Sequence, residues 1–447
     1  VKDKLSQGRE FLLDGIESGR FPAGSKLPGA RDLAAELHIS FLVAQHVVSS
    51  LEQDGVIECV PRRGAYVRHG WENRLIRNHL VIFQPFREWI PGMLGFLAEE
   101  LPELRFSRGF RRGMFELRTT FELQEHRDDY MDLSRFLPEC IHDEGRFFSR
   151  PFRGFSEPDG RLFGIPFIFS PRVIFFNRGM LAAHRLPAPR KNWTWEEFIG
   201  LIRTLRRHYP AERVFTYFDR PYFWMNFIFR AGGKLIDRLP DGSTRVCIDS
   251  PETIRGMALL RELCTTVYGF VSRGAEVECP FHNGDIALAM ADRELYSVIH
   301  HSGFDDWGTV PLPEIPGGRN VTTQATDLIC VRRECADNAL AGKYIRFLLG
   351  ERMQQYIGQR RYGIPILKQA AQASIDSEDP RDLLFLNEMN TMSAEYNVDS
   401  PPLTEIIYGG GSDIIHSDRP LEPAAAELAS ALRTILKVRD EIRRKKN

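Results

Sequence analysis

The sequence lacks any run of about 18 apolar residues, so no membrane-spanning helix is expected. It lacks a disulfide framework. Seven cysteines is an odd number and none form a C-x-x-C pair, so buried, reduced thiols are expected. It lacks an excess of either charge: 59 Lys and Arg face 60 Asp and Glu, a net charge of -1. No global field draws nucleic acid to such a chain, and DNA binding would have to rest on a local patch. The start, Val1-Lys2-Asp3-Lys4-Leu5-Ser6, has no apolar signal core. With the cysteine usage, that gives a cytoplasmic expectation. There is no Ser nucleophile elbow, no zinc-ligand spacing and no P-loop. No enzyme activity, metal or cofactor is expected. The adjacent acids Asp128-Asp129 and Asp305-Asp306 point apart on most backbones and are read as solvated surface, not paired catalytic carboxylates.

What is present is an ordinary globular composition, 43% hydrophobic and 27% charged, long enough for about three structural units. The first 70 residues carry the densest pattern. Leu5, Phe11, Leu12, Leu13 and Ile16 make a helical stripe. Phe21-Pro22-Ala23-Gly24 is turn chemistry. Leu33, Ala34 and Leu37 mark a short second helix. Ser40 is placed to cap a third, which buries Ala44, Val47, Val48 and Leu51. Gly55 stops it. Val56–Val60 and Ala65–Val67 alternate like strands and are joined by Pro61-Arg62-Arg63-Gly64, a hairpin with two guanidiniums at its tip. Two helices across a tight turn, followed by a basic hairpin, form a winged helix-turn-helix. Its later helix enters a major groove and its wing reaches phosphates.

The phrases Gly19-Arg20-Phe21-Pro22-Ala23-Gly24-Ser25-Lys26-Leu27-Pro28, Arg31-Asp32-Leu33-Ala34, Leu51-Glu52-Gln53-Asp54-Gly55-Val56-Ile57 and Arg63-Gly64-Ala65-Tyr66-Val67 resemble the GntR-type winged-helix domain. The resemblance covers residues 8 to 68. By position it implies DNA contacts from Arg31, Ser40, Phe41, Gln45 and the wing tip Arg62, Arg63 and Gly64. The chain departs from the family at the start of the recognition helix. Ser40-Phe41-Leu42-Val43-Ala44-Gln45 stands where Ser-Arg-x-Thr-Val-Arg is usual, and Gly29-Ala30 stands where Ser-Glu is usual. Residues 1–70 hold nine basic and nine acidic side chains. The missing arginines weaken guanine and phosphate contacts, whereas the Gln45 amide suits adenine.

Beyond a polar connector at 71–78, apolar strands alternate with helical patterns. Leu80–Phe83 reads as a buried strand, and the residues just after it lie where α/β domains keep ligand-facing groups. Phe115–Phe121 alternates as a strand, and Glu157–Phe167 reads as a hairpin. Thr194 and Glu197 form a capping box. Pro251–Val267 and Asp337–Leu349 are helical, as is a last helix from about Pro423.

Asp159-Gly160-Arg161-Leu162-Phe163-Gly164-Ile165-Pro166-Phe167, Phe175-Phe176-Asn177-Arg178, Trp193-Thr194-Trp195-Glu196-Glu197-Phe198, Ala231-Gly232-Gly233, Gly284-Asp285-Ile286-Ala287-Leu288, Pro311-Leu312-Pro313 and Gly363-Ile364-Pro365 occur in that order. As an ordered series they resemble the extracellular solute-binding proteins that serve sugar transporters. The resemblance implies two α/β lobes around a cleft, a periplasmic-binding-protein-like domain over 79–447. Lobe I would take about 79–168 and 326–362, and lobe II about 170–322 and 364–447. The chain would cross near Phe167–Ser170, Thr322–Thr326 and Tyr362–Pro365, and such lobes close like a hinge on ligand.

Sugar rings stack on aromatic faces and their hydroxyls need fixed polar partners. Trp89, Trp224 and Tyr296, with Gln84, Arg87, Ser170, Arg172 and Gln324, are the candidate ligand-binding set. The expected chain is a ligand-responsive transcription regulator: operator DNA and a small polar solute, first a sugar, as partners, acting as a homodimer. The alternative is a solute-binding protein whose winged helix has lost DNA binding and serves dimerisation or partner contact.

Overall fold

The computed structural model describes residues 4–84, 86–137, 144–157, 159–217, 219–239, 243–270, 281–394 and 401–446. Cys140 and Cys279 lie outside them. The other five cysteines, Cys59, Cys247, Cys264, Cys330 and Cys335, are free thiols.

The chain opens with three helices, α1 Lys4–Glu17, α2 Ala30–Leu37 and α3 Phe41–Gln53, then a hairpin of β1 Ile57–Val60 and β2 Gly64–Val67. Of the stripes read from sequence, Leu12, Leu13 and Ile16 are buried and meet Leu33, Ala44, Val47 and Leu51, whereas Phe11 and Val48 are half-buried and Leu5, near the start of α1, is exposed. His38 adopts a left-handed conformation (φ 52) and returns its amide to Ala34 and Ala35, which ends α2 and makes the tight turn. Ser40 then caps α3 by accepting from the Val43 amide.

The next element, β3 Ile76–Ile82, begins inside the stretch read as connector. It belongs to a sheet with β4 Arg105–Phe106, β5 Gly113–Thr119, β6 Ile165–Pro171, β12 Thr322–Val331 and β13 Ile364–Pro365, in the order β13-β6-β12-β5-β3-β4, with β14 Met392–Ser393 beside β12. β3 runs parallel to β4 and β5, while β12 is antiparallel to both β5 and β6. The three crossing segments expected from the family therefore lie side by side as β13, β6 and β12. A second sheet joins β7 Val173–Asn177 to β10 Leu288–Ala291 and β11 Trp307–Val310 in antiparallel pairs. A small hairpin pairs β8 Ile236–Arg238 with β9 Thr244–Val246.

Alternation along β7 splits its side chains between two cores. Val173 and Phe175 join the core built on the large sheet, and Ile174 and Phe176 join the second core. Helices Trp195–Leu205, Pro221–Arg230, Pro251–Tyr268 and Leu421–Lys446 close the second core. The Thr194–Glu197 capping box starts the first of these, as its spacing predicts. The result is a winged helix followed by a two-lobed α/β domain.

Candidate DNA and ligand sites

The head region's charges sort by position. Five of its acids are taken by arginines: Asp54 by Arg9 (2.6 Å), Glu36 by Arg20 (3.1 Å), Glu58 by Arg68 (4.0 Å), Asp14 by Arg105 (2.5 Å) and Glu17 by Arg105 (3.0 Å). Lys26, Arg31, Arg62 and Arg63 form no ion pair among the described residues. A region with no net charge thus leaves these four cations unpaired among the described residues, two of them at the wing tip. The tip is a tight turn in which Arg62 (φ 64) and Gly64 (φ 109) both have left-handed backbones. A side chain at Gly64 would also press on Lys26, its Cβ lying 2.9 Å from the Lys26 Cε. Arg31, Ser40, Gln45, Arg62, Arg63 and Gly64 are all exposed. Phe41 is 47% exposed. The structure therefore brings the candidate DNA residues onto the surface of the helix-turn-helix and its wing.

The head is joined firmly to the first lobe. Ile76 and Val81 of β3, with Phe110 from the loop before β5, are buried in the head's own core. Trp71 meets Phe110 edge-on at 5.0 Å. Arg105 holds both oxygens of Glu17 at 3.0 Å, and the Ser107 hydroxyl donates to the same carboxylate at 2.5 Å. His79 is buried against Phe110 (5.1 Å). Burial, with Arg105 and Arg9 nearby, pushes its pKa well below the usual histidine value, so it is neutral there. Local sequence patterns do not reveal this joint, because its ion pairs span 88 and 91 residues.

The candidate ligand residues separate into groups. Trp89 and Trp224 do not meet: each is fully buried, one in each core. Tyr296 is buried too, its hydroxyl donating to Asp379 (3.0 Å) and its ring against Trp307. Ser170 accepts from the Arg293 amide, and Gln324 donates to the Pro151 carbonyl and the Thr326 hydroxyl, so both brace the crossing strands. Gln84 is half-buried just beyond β3, with a left-handed backbone (φ 57).

The two arginines sit in polar surroundings. Arg87 grips both oxygens of Asp327 on β12 at 2.7 Å, stacks over the Tyr362 ring at 5.2 Å and lies 4.0 Å from Glu294. Tyr362 donates to Glu294 as well. Burial pushes Glu294 up to about 7, although Arg87 pulls the other way. Burial alone would lower the Arg87 pKa, but Asp327, Tyr362 and Glu294 outweigh it and hold the guanidinium charged. Arg172 donates to the Thr323 hydroxyl at 2.9 Å and stacks over Tyr222 at 4.9 Å.

Sequence reasoning missed Asp327, Glu294, Tyr362 and Tyr222, which these arginines select as partners. It also missed Phe83 and Phe86, the latter 81% exposed, on the loop after β3. An exposed aromatic at the carboxyl edge of parallel strands suits a ligand-facing position. Only its exposure distinguishes it from the many phenylalanines in the cores. Trp89 Nε1 and Arg87 Nε, a few residues further along, are buried with no hydrogen-bond partner among the described residues. Of the adjacent acids, Asp129 is met by Arg332 (3.1 Å) and Asp305 by Arg381 (2.6 Å), while Asp128 and Asp305 are exposed to solvent, as the sequence reading expects. Among the described residues, no group of three or more His, Cys, Asp or Glu is placed to hold a metal ion, and no helix is long and apolar enough to cross a membrane.

Comparison with known proteins matches these two parts separately. Residues 131–382 match the family of bacterial extracellular solute-binding proteins, and residues 9–67 match the bacterial regulatory proteins of the gntR family. The HTH-type transcriptional regulator Rv1152 of Mycobacterium tuberculosis is 30% identical over 66 residues, 15% of this chain and 54% of that protein. The chain thus spans about half the length of that curated relative.

Among solved structures, a solute-binding protein of an ABC transporter from Thermotoga lettingae, bound with alpha-D-tagatose, is 12% identical with a TM-score of 0.67, covering 80% of this chain and 98% of that one. The substrate-binding protein Lmo0181 of Listeria monocytogenes, in complex with cycloalternan, is 15% identical with a TM-score of 0.66 over the same shares, 80% and 98%. UgpB of Mycobacterium tuberculosis, in complex with glycerophosphocholine, is 17% identical with a TM-score of 0.64, again over 80% and 98%. At such identities these likenesses are of fold. The chain belongs to the bacterial extracellular solute-binding protein family and carries a gntR-type winged helix-turn-helix at its front.

Proposed function

We propose that the protein is a cytoplasmic, ligand-responsive transcription regulator. The winged helix binds a pseudo-palindromic operator as a homodimer, with half-sites roughly 34 Å apart when one helical turn separates them. The two lobes sense a small polar solute, first a sugar. Arg31, Ser40, Phe41, Gln45, Arg62, Arg63 and Gly64 face DNA. Arg87, Arg172 and Gln84, with Tyr222, Phe83 and Phe86 added, face ligand.

One observation carries this reading: the head shares a core and a buried ion pair with the first lobe, through Phe110 and Arg105. A head fixed in this way follows the lobe that bears it. Closure of the cleft then re-sets two DNA-binding heads in a dimer, and DNA affinity changes only to the extent that one arrangement is favoured. The test is a thermal-shift screen of mono- and oligosaccharides, because a ligand that binds only the folded state raises the melting temperature. A screen without any stabilising saccharide contradicts sugar sensing.

A second reading is favoured by the exposed Phe41 and Leu42, which suit a protein surface as well as DNA. In it the winged helix contacts a partner protein and no longer reads DNA. Salt-sensitive binding to DNA, weakened by Arg62→Ala with Arg63→Ala, decides against it.

A further inference from the structure

Helix α3 runs from Phe41 to Gln53 and contains neither lysine nor arginine. Its exposed positions form one face. Phe41, Gln45 and Ser49 recur every four residues, and Leu42 with His46 runs alongside. Phe41 is 47% and Leu42 61% exposed, although the Ser40 side chain caps this turn by accepting from the Val43 amide. Two large apolar side chains on the first turn of a capped helix are shielded from water only if something covers them.

The surrounding charge says what covers them. The unpaired cations Lys26, Arg31, Arg62 and Arg63 lie in the same small domain, on the segment before α2, the start of α2 and the wing. Of its acids, Asp54, Glu36 and Glu58 are paired within the head and Asp14 and Glu17 at the joint with lobe I, while Asp32, beside Arg31, forms no ion pair among the described residues. Exposed cations in the same small domain as an apolar and amide-bearing helix face complement a polyanion whose grooves present methyl groups and base edges.

Base chemistry narrows the sequence. Guanine is read mainly by arginine or lysine through O6 and N7, and α3 offers neither. Adenine is read by a glutamine or asparagine amide through N6 and N7. The thymine methyl is read by apolar contact. Resting on the proposed DNA-binding role, we infer that α3 recognises an A·T-rich half-site, with Phe41 and Leu42 against thymine methyls and Gln45 on adenine. Phosphate contacts from Arg31 and the wing supply most of the affinity and its salt dependence. The helix supplies the sequence preference.

The experiment is selection of duplexes from a random pool by the full-length protein at low salt, followed by replacement of single thymines with uracil, which lacks the 5-methyl group. The expected result is an A·T-rich half-site at which one or two uracil substitutions each weaken binding about fourfold, the equivalent of one buried methyl group. Phe41→Ala or Leu42→Ala should abolish the matching uracil effect. Both side chains are exposed, so both variants should fold, which an unchanged melting temperature checks. Enrichment of G·C-rich half-sites, or indifference to every uracil, overturns the inference while leaving DNA binding intact. Failure to bind any duplex overturns the inference and the DNA-binding role together.

Discussion

Replacing Arg105 with alanine tests whether head and sensor form one unit. The Arg105 side chain is 11% exposed and bonds Glu17, itself 12% exposed, and Asp14, which is 71% exposed. Removing one partner of a buried ion pair costs roughly 3–5 kcal/mol. Asp14 is largely solvated without Arg105, and Glu17 keeps the Ser107 hydroxyl, so the expected loss is smaller, about 2 kcal/mol. For a cooperative unit of about 150–250 residues that lowers the melting temperature by roughly 4–8 °C. Scanning calorimetry, with hydrogen exchange on α1, reads it. Arg190→Ala is the control: its pair with Glu197 is 79% and 44% exposed, so it should leave the melting temperature essentially unchanged. The reasoning fails if Arg105→Ala behaves like the control. It also fails if the wild-type head already melts as a separate, earlier transition.

Other outcomes follow from the same geometry. Arg62→Ala with Arg63→Ala should flatten the dependence of log K on log salt by about 1.8, or about 0.9 for each phosphate no longer neutralised; fluorescence anisotropy with labelled duplex measures it. Trp89→Ala, in a closed core, should cost about 3–5 kcal/mol of stability by denaturant titration. Phe86→Ala, at an exposed position, should change stability by less than about 0.5 kcal/mol yet weaken saccharide binding. Burial raises the folded-state pKa of Glu294 from 4.5 to about 7. Its contribution to stability is therefore present below about pH 4.5 and is lost as pH rises towards about 7. Glu294→Gln should remove that part of the pH dependence, and an unchanged slope between pH 5 and pH 7 would contradict the burial argument.

Local signals were legible in the sequence because they act over a few residues. The Ser40 cap, the Thr194–Glu197 capping box and the α1 stripe each depend on side chains three or four positions apart. Register within the fold was less legible. β3 begins at Ile76, whose side chain is buried in the head's core and whose strand partner, Gly113, lies 37 residues further along the chain. The ligand site was read least well. Trp89 and Trp224 have the chemistry of sugar platforms, but a ring's facing is decided by packing, and both were drawn into cores. The partners of Arg87 come from 240 and 207 residues further along the chain, at Asp327 and Glu294. Nothing local marks them. Phe86 has the same residue type as the core phenylalanines and differs only in what the fold leaves uncovered.

The central claim is a coupling between cleft and DNA. The measurement is the affinity of the full chain for a selected duplex, with and without a saccharide that raises its melting temperature. Coupling of about 1–3 kcal/mol is typical of such linkage, so the account predicts at least about a fivefold change in affinity. Equal affinity with the cleft saturated and empty would contradict it.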